Sequence, residues 1–171
     1  DPTSIIHLAT IDRSSRLGKE RSRESVILGT QALFGAAERL RNLTHVVVRS
    51  EGHVYGSGNR TALIAREGDR LGGQAPRHSR ALREVETYAT EAGKAVGVPV
   101  AVLRTAESVG PHADTPLAHL FRLPVVPIMW GFDPLLQLLH EDDLRDAFLH
   151  ALDNGLDGVF NVAPAGPLYL S

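Results

Sequence analysis

The sequence predicts an α/β protein built on a parallel sheet, and three observations support this. Apolar, β-branched runs recur at Ile5-Ile6, Val46-Val47-Val48 and Val98 to Val102. Helical patterns of apolar residues fill the intervals between them, and the order strand, helix, strand, helix, strand implies right-handed crossovers and parallel pairing. The middle run then breaks into Arg49-Ser50-Glu51-Gly52-His53 and resumes as Val54-Tyr55-Gly56. A buried parallel strand ends in this way at a ligand crevice.

The first strand begins almost at once, in Asp1-Pro2-Thr3-Ser4-Ile5-Ile6-His7-Leu8-Ala9. From Ser22 to Arg41, the residues Val26, Ile27, Leu33, Phe34, Ala37 and Leu40 fall at helical spacing with charged flanks, which predicts a helix. Thr44 to Arg49 is the next strand. Gly58 to His78 is polar and rich in turn signals, Asn59-Arg60 and Gly72-Gly73 among them, and reads as a long loop. Ser79 to Ala95 carries Leu82, Val85, Tyr88 and Ala89 on one helical face, and Val98 to Arg104 is a further strand. A short strand near Leu136 to His140 leads into a helix through Leu152, and Gly158 to Ala163 closes the pattern.

Composition bounds the function. With 171 residues, 43% hydrophobic and 22% charged, the chain has enough apolar content for one good core. A net charge of −2 gives no basic footprint for nucleic acid or an anionic membrane. Cysteine is absent, so there is no disulfide framework and no thiolate metal site. No apolar run approaches the roughly 20 residues of a membrane span, and the start lacks signal-peptide features. These readings lead to the expectation of a cytoplasmic protein.

Six segments, in order, resemble the NAD-dependent epimerase/dehydratase family, the extended short-chain dehydrogenases/reductases. Asp1 to Ala9 resembles the family's fourth strand, and Val26-Ile27-Leu28-Gly29-Thr30 its Asn-Val-x-Gly-Thr. Ser50 to Gly56 resembles the Ser-Ser-x-x-Val-Tyr-Gly that closes its fifth strand. Leu103-Arg104 through Gly110-Pro111 is similar to Leu-Arg-x-x-Asn-x-x-Gly-Pro, with Glu107 at the asparagine. Leu136-Gln137-Leu138-Leu139-His140-Glu141-Asp142-Asp143-Leu144 is similar to a substrate-side motif, and Gly158-Val159-Phe160-Asn161-Val162-Ala163 to the closing strand. The resemblance implies a Rossmann-like, doubly wound parallel sheet. Residues 1–111 would form a partial core, strands four to six of the family pattern, and 112–171 a substrate-side region with the closing strand.

By the same resemblance, His7, Ala9, Ser50 and Arg104 would lie beside a dinucleotide, and Glu107, Gln137 and His140 on the substrate side. The family's glycine-rich turn, which receives the pyrophosphate, has no counterpart among the 16 glycines. The chain therefore reads as a fragment, and NAD or NADP is expected only where a preceding segment supplies that turn.

The family's catalytic set is replaced. Its serine position holds Glu51, and the tyrosine and lysine of Tyr-x-x-x-Lys fall at His78 and Leu82. A tyrosine of pKa about 10 acts as acid or base at neutral pH only beside an ammonium that favours the phenolate. Leu82 provides no such charge, and an ionised Glu51 accepts hydrogen bonds rather than donating them. His78 remains a conceivable base, set against its reading as a solvated or capping residue. Glu107 reads equally as a pocket carboxylate and as a solvent-facing one. The run His140-Glu141-Asp142-Asp143 reads as acids at a helix N-terminus rather than a metal site, Asp143 as an architectural hydrogen-bonding residue, and His112 and His119 have no metal-ligand spacing.

Three functions are weighed. The first is a non-catalytic, dinucleotide-binding or regulatory subunit. The second is an active NAD(P)-dependent oxidoreductase or nucleotide-sugar epimerase/dehydratase. The third is a structural interaction module. An exposed sheet edge near Ile5 and Ile6 is expected to be covered by the missing N-terminal segment, a second protomer or another protein.

Overall fold

The computed structural model describes residues 2–9, 19–56, 65–69, 71, 77–127, 131 and 133–170. Four strands form the main sheet, all parallel: β1 (Ser4–His7), β2 (His45–Glu51), β3 (Val100–Thr105) and β7 (Gly158–Val162), in the spatial order β1-β2-β3-β7. Register pairs Ile5 with Val46, Val47 with Ala101, and Val102 with Val159. The parallel neighbours expected around Ile5, Val47 and Val102 are thus present, in a mixed α/β fold.

Two helices make the crossovers, α1 (Lys19–Ala37) between β1 and β2 and α2 (Arg77–Val96) between β2 and β3. The α1 helix ends four residues before the expected Arg41, because Arg39 and Leu40 tighten into i→i+3 turns on Ala36 and Ala37. Strand alternation divides the core. Val46 and Val48 face Phe34, Ala81, Leu82, Val85 and Ala89 of the two helices, while Val47 faces Phe148 and Ala151 on the opposite side. Each of these valines is at most 1% exposed, and burial of such a side chain contributes about 1.5–3 kcal/mol. Tyr88 reaches Phe34 edge to face at 6.1 Å, joining α2 to α1.

Glycine sets the α2 to β3 junction. A Cβ at Gly93 would come 2.2 Å from Val100 Cγ2, so the helix approaches the strand through this position, and Gly97, at φ +71°, turns the chain out of the helix.

The remaining elements are short. After β3 come β4 (Glu107–Val109) and α3 (Pro116–Phe121), then β5 (Leu135–Leu136), β6 (Leu138–His140), α4 (Glu141–Asp153) and, beyond β7, β8 (Leu168–Tyr169). β4 pairs with β6 in parallel, and β5 with β8 antiparallel. α4 covers the sheet face opposite α1 and α2 through Phe148 and Ala151. Much of the expected Gly58–His78 loop, including 57–64 and 72–76, lies outside the described residues.

Candidate functional site

The carboxyl ends of parallel strands define a crevice in doubly wound sheets. Here β1 ends at His7, β2 at Glu51, β3 at Thr105 and β7 at Val162. β2 runs into a 3₁₀ turn, Gly52–Tyr55, which buries Val54 and Tyr55.

A buried polar network ties this edge together. Glu86, on the inward face of α2, accepts from Arg104 Nη2 at 2.7 Å and Nε at 3.1 Å, and from the Ser50 hydroxyl. Arg104 Nη1 donates to the Tyr55 hydroxyl at 3.0 Å, and the guanidinium lies 5.0 Å from the centre of the tyrosine ring. The Tyr55 hydroxyl in turn donates a hydrogen bond to Asn161 Oδ1 at 2.7 Å. Asn161 also holds segment 65–69, since its amide nitrogen donates to Ala65 O at 3.1 Å and its backbone N–H to Glu67 Oε1 at 2.9 Å. That backbone bond holds the Glu67 carboxyl below the usual glutamate range. Burial works against the charge of Arg104, but its bonds to Glu86 and Tyr55 outweigh burial and raise its pKa. The network therefore joins α2, β2, β3, β7 and segment 65–69 around one guanidinium.

The residues expected beside a dinucleotide separate into two groups. Ser50 and Arg104 both sit inside this network, their side chains held by Glu86. His7 and Ala9 lie at the end of β1, Ala9 packed against the α1/α2 core. Thr30 donates its single hydroxyl proton to Val26 O at 2.7 Å, so it accepts from His7 Nε2 at 2.8 Å. Burial lowers the pKa of His7, so the imidazole is neutral at pH 7, with Nε2 protonated and Nδ1 left as the acceptor.

The resemblance assigns the family's catalytic positions to Glu51, His78 and Leu82. Glu51, its side chain 12% exposed, ends β2 with Oε2 3.6 Å from Nδ1 of His53, which is 46% exposed. Leu82 is 2% exposed and belongs to the core cluster that holds Val54 and Val85. His78 lies in the first turn of α2, and its side chain is outside the described residues.

The residues that the resemblance set on the substrate side lie on or beside β4 and β6. Glu107 opens β4 opposite Leu138 of β6, His140 ends β6 opposite Val109, and Gln137 immediately precedes β6. His140 caps α4, its Nδ1 accepting from the Asp142 N–H at 3.2 Å. Glu141 accepts from the ring of His112 at 2.9 Å and from its backbone N–H at 3.1 Å. The ring bond is the main reason that the Glu141 carboxyl is held below its usual range. Asp143 is exposed in the same first turn. The described residues contain no group of three or more His, Asp or Glu side chains able to hold a metal ion.

Glu86, Tyr55 and Asn161 are the residues whose structural part the sequence reading did not assign. Glu86 carried a usable signal: it is an acid one turn beyond Leu82 and three residues before Ala89, on an otherwise apolar helical face.

Comparison with known proteins places this geometry. The model of the NAD dependent epimerase/dehydratase family matches residues 1–163. An uncharacterized protein of Mycobacterium tuberculosis is 32% identical over 174 residues, covering 98% of this chain and 46% of that protein. Among solved structures, UDP-N-acetylglucosamine 4-epimerase from Bacillus cereus superposes with a TM-score of 0.79 at 19% identity, covering 98% of this chain and 60% of that one. The dTDP-glucose 4,6-dehydratase of Bacillus anthracis, solved with NAD, gives 0.76 at 18% identity, covering 98% and 53%. A nucleoside-diphosphate sugar epimerase from Corynebacterium glutamicum gives 0.76 at 24% identity, covering 98% and 35%. The chain thus spans between 35% and 60% of the length of these relatives.

Proposed function

Because this chain belongs to the NAD-dependent epimerase/dehydratase family, we propose that it is the nicotinamide-side half of a dinucleotide-binding protein that does not perform the family's serine–tyrosine–lysine chemistry. It acts as a binding or regulatory subunit in the cytoplasm. The observation that carries the reading is Leu82. At the position that the resemblance gives to the lysine stands an apolar side chain, 2% exposed and packed in the core, which can neither tune an acid/base nor anchor a ribose.

The donor set supports a cofactor in part. The strand ends His7–Ala9, Glu51–Gly52 and Thr105–Glu107 would hold the nicotinamide half, with the pyrophosphate site outside these residues. A bound nicotinamide supplies a hydride acceptor or donor. This chain's own contribution is to orient it, since Ser50 and Arg104 are engaged by Glu86 and an ionised Glu51 cannot donate to a substrate carbonyl.

The outer edge of β1 has no strand beside it among the described residues. Ile6 and Leu8, 39% and 53% exposed, are covered in the working protein by a further segment of the polypeptide, a second protomer or another protein. No described helix is long and apolar enough to cross a membrane.

Stopped-flow absorbance of the reduced nicotinamide tests the reading, using the full-length polypeptide with nucleotide sugars and small ketones. No turnover is expected. Turnover that disappears in His78→Ala would overturn the non-catalytic reading and give His78 the acid/base role.

A further inference from the structure

We infer that the turn between α4 and β7 is a site of spontaneous covalent modification, at which Asn154 loses its side-chain amide to water and the α4 C-cap sets the rate. The inference goes beyond the binding reading above and does not depend on it.

Of the four asparagines in the chain, Asn42, Asn59, Asn154 and Asn161, Asn154 alone precedes a glycine. An asparagine side-chain amide can be attacked by the nitrogen of the next peptide unit, and glycine at that next position leaves the nitrogen unhindered and the backbone free to turn. A new bond forms from the Gly155 nitrogen to Asn154 Cγ, the Cγ–Nδ2 bond breaks, and ammonia leaves behind a cyclic imide. Water then opens the imide to aspartate or to isoaspartate, in which the main chain runs through the side chain. Water is the only co-reactant, and nothing is oxidised or reduced.

The cap closes this route while it is intact. Asn154 stands at φ −97° and ψ 2°, and at that ψ the Gly155 nitrogen points away from Cγ. The Gly155 N–H donates to Leu152 O at 3.2 Å, and Asn154 Nδ2 donates to His150 O at 2.9 Å. Ring closure breaks both bonds. Asn154 is nevertheless exposed, and an exposed helix end opens far more often than the core does. The reaction therefore runs through the open cap, at a rate proportional to its population.

The product does not restore the cap. A carboxylate has no N–H for His150 O, and it brings negative charge to the carbonyl end of α4. Isoaspartate also lengthens the backbone of a turn that is tied to the sheet: Leu156 O accepts from the buried His45 at 2.6 Å, and Asp157 Oδ1 accepts from the Val100 N–H at 3.1 Å. Deamidation is thus a one-way opening of the end of α4, the helix that packs on Val47 and Leu103 through Phe148 and Ala151.

Peptide mapping by mass spectrometry tests this on the full-length polypeptide, aged in mildly alkaline buffer with and without unfolding urea. In urea, Asn154 should convert before the three other asparagines of this chain. Gly155→Ala should remove that lead; it is read in urea because the native φ of Gly155, +58°, strains alanine in the folded state. In the folded protein Asn154 should convert more slowly than in urea. Asn154→Asp should speed hydrogen exchange at the Gly155 and Leu156 amides about twofold to fivefold, the scale of one charge at a helix terminus. Earlier conversion of another of these asparagines in urea, no conversion at Asn154, or a lead that survives Gly155→Ala would overturn the site. Equal rates with and without urea would overturn control by the cap, and unchanged exchange in Asn154→Asp would overturn the one-way opening.

Discussion

At the carboxyl edge of the main sheet, Arg104 and Glu86 meet with 5% and 6% of their side chains exposed. On the small β4/β6 unit, His112 and Glu141 meet at 2.9 Å with the histidine 89% exposed. Both are contacts of good geometry between a basic and an acidic side chain, yet they differ in consequence. The buried pair lost its hydration on folding and is held by further bonds from Ser50 and Tyr55, so removing one partner strands the other in a low dielectric. The exposed pair exchanges one partner for water. Burial, not the identity of the residues, separates a contact that organises five elements from one that trims a loop.

The largest expected effect tests the buried side. Glu86→Ala leaves the Arg104 guanidinium without its counter-charge and should cost about 3–5 kcal/mol in urea unfolding. The double variant Glu86→Leu with Arg104→Met should cost less than Glu86→Ala alone, because no charge remains to be stranded. A loss from Glu86→Ala no greater than that from Glu141→Gln would remove the distinction between the two regions.

A second test contrasts two histidines. His7 is buried against Thr30, and burial lowers its pKa below the unfolded value near 6.5. The sign follows from linkage: the unfolded chain takes up a proton first, so the stabilisation is complete above the ordinary histidine range. It is lost as pH falls through that range towards the lower native pKa. His7→Asn should flatten this part of the curve of urea midpoint against pH, and a slope identical to the parent's would show that His7 is not its source.

Much of the fold was legible in the sequence because it rests on period and polarity. The valines of β2 are buried on both faces and read as a continuous apolar run, and the amphipathic face of α2 repeats at helical spacing. The resemblance set Glu107 and His140 in one region, and in the structure they lie on the paired strands β4 and β6, opposite Leu138 and Val109. The buried network was not legible. Ser50 and Arg104 both bond to Glu86, a residue far away in the chain whose partner choice depends on the register of β2 against β3. Asn161 is harder still to foresee, since it holds Ala65 across a separation of 96 residues. Pairwise contacts of that kind are set by how the elements dock, which no local pattern encodes.

The smallest expected effect sharpens the exposed side of the comparison. The bond from His112 is the main reason that the Glu141 carboxyl sits below its usual range, so its native pKa is depressed relative to the unfolded chain. Its contribution is therefore present above the ordinary glutamate range and disappears as pH falls through the native value. Glu141→Gln should remove that acidic-side slope and shift the urea midpoint at neutral pH less than any buried change described above. The difference should shrink further in high salt, because solvent and ions screen a contact whose histidine stands in water. A salt-independent loss in Glu141→Gln as large as that of Glu86→Ala would mean that loop 110–113 holds the β4/β6 unit together through Glu141, and that exposure of the histidine was a poor guide to its worth.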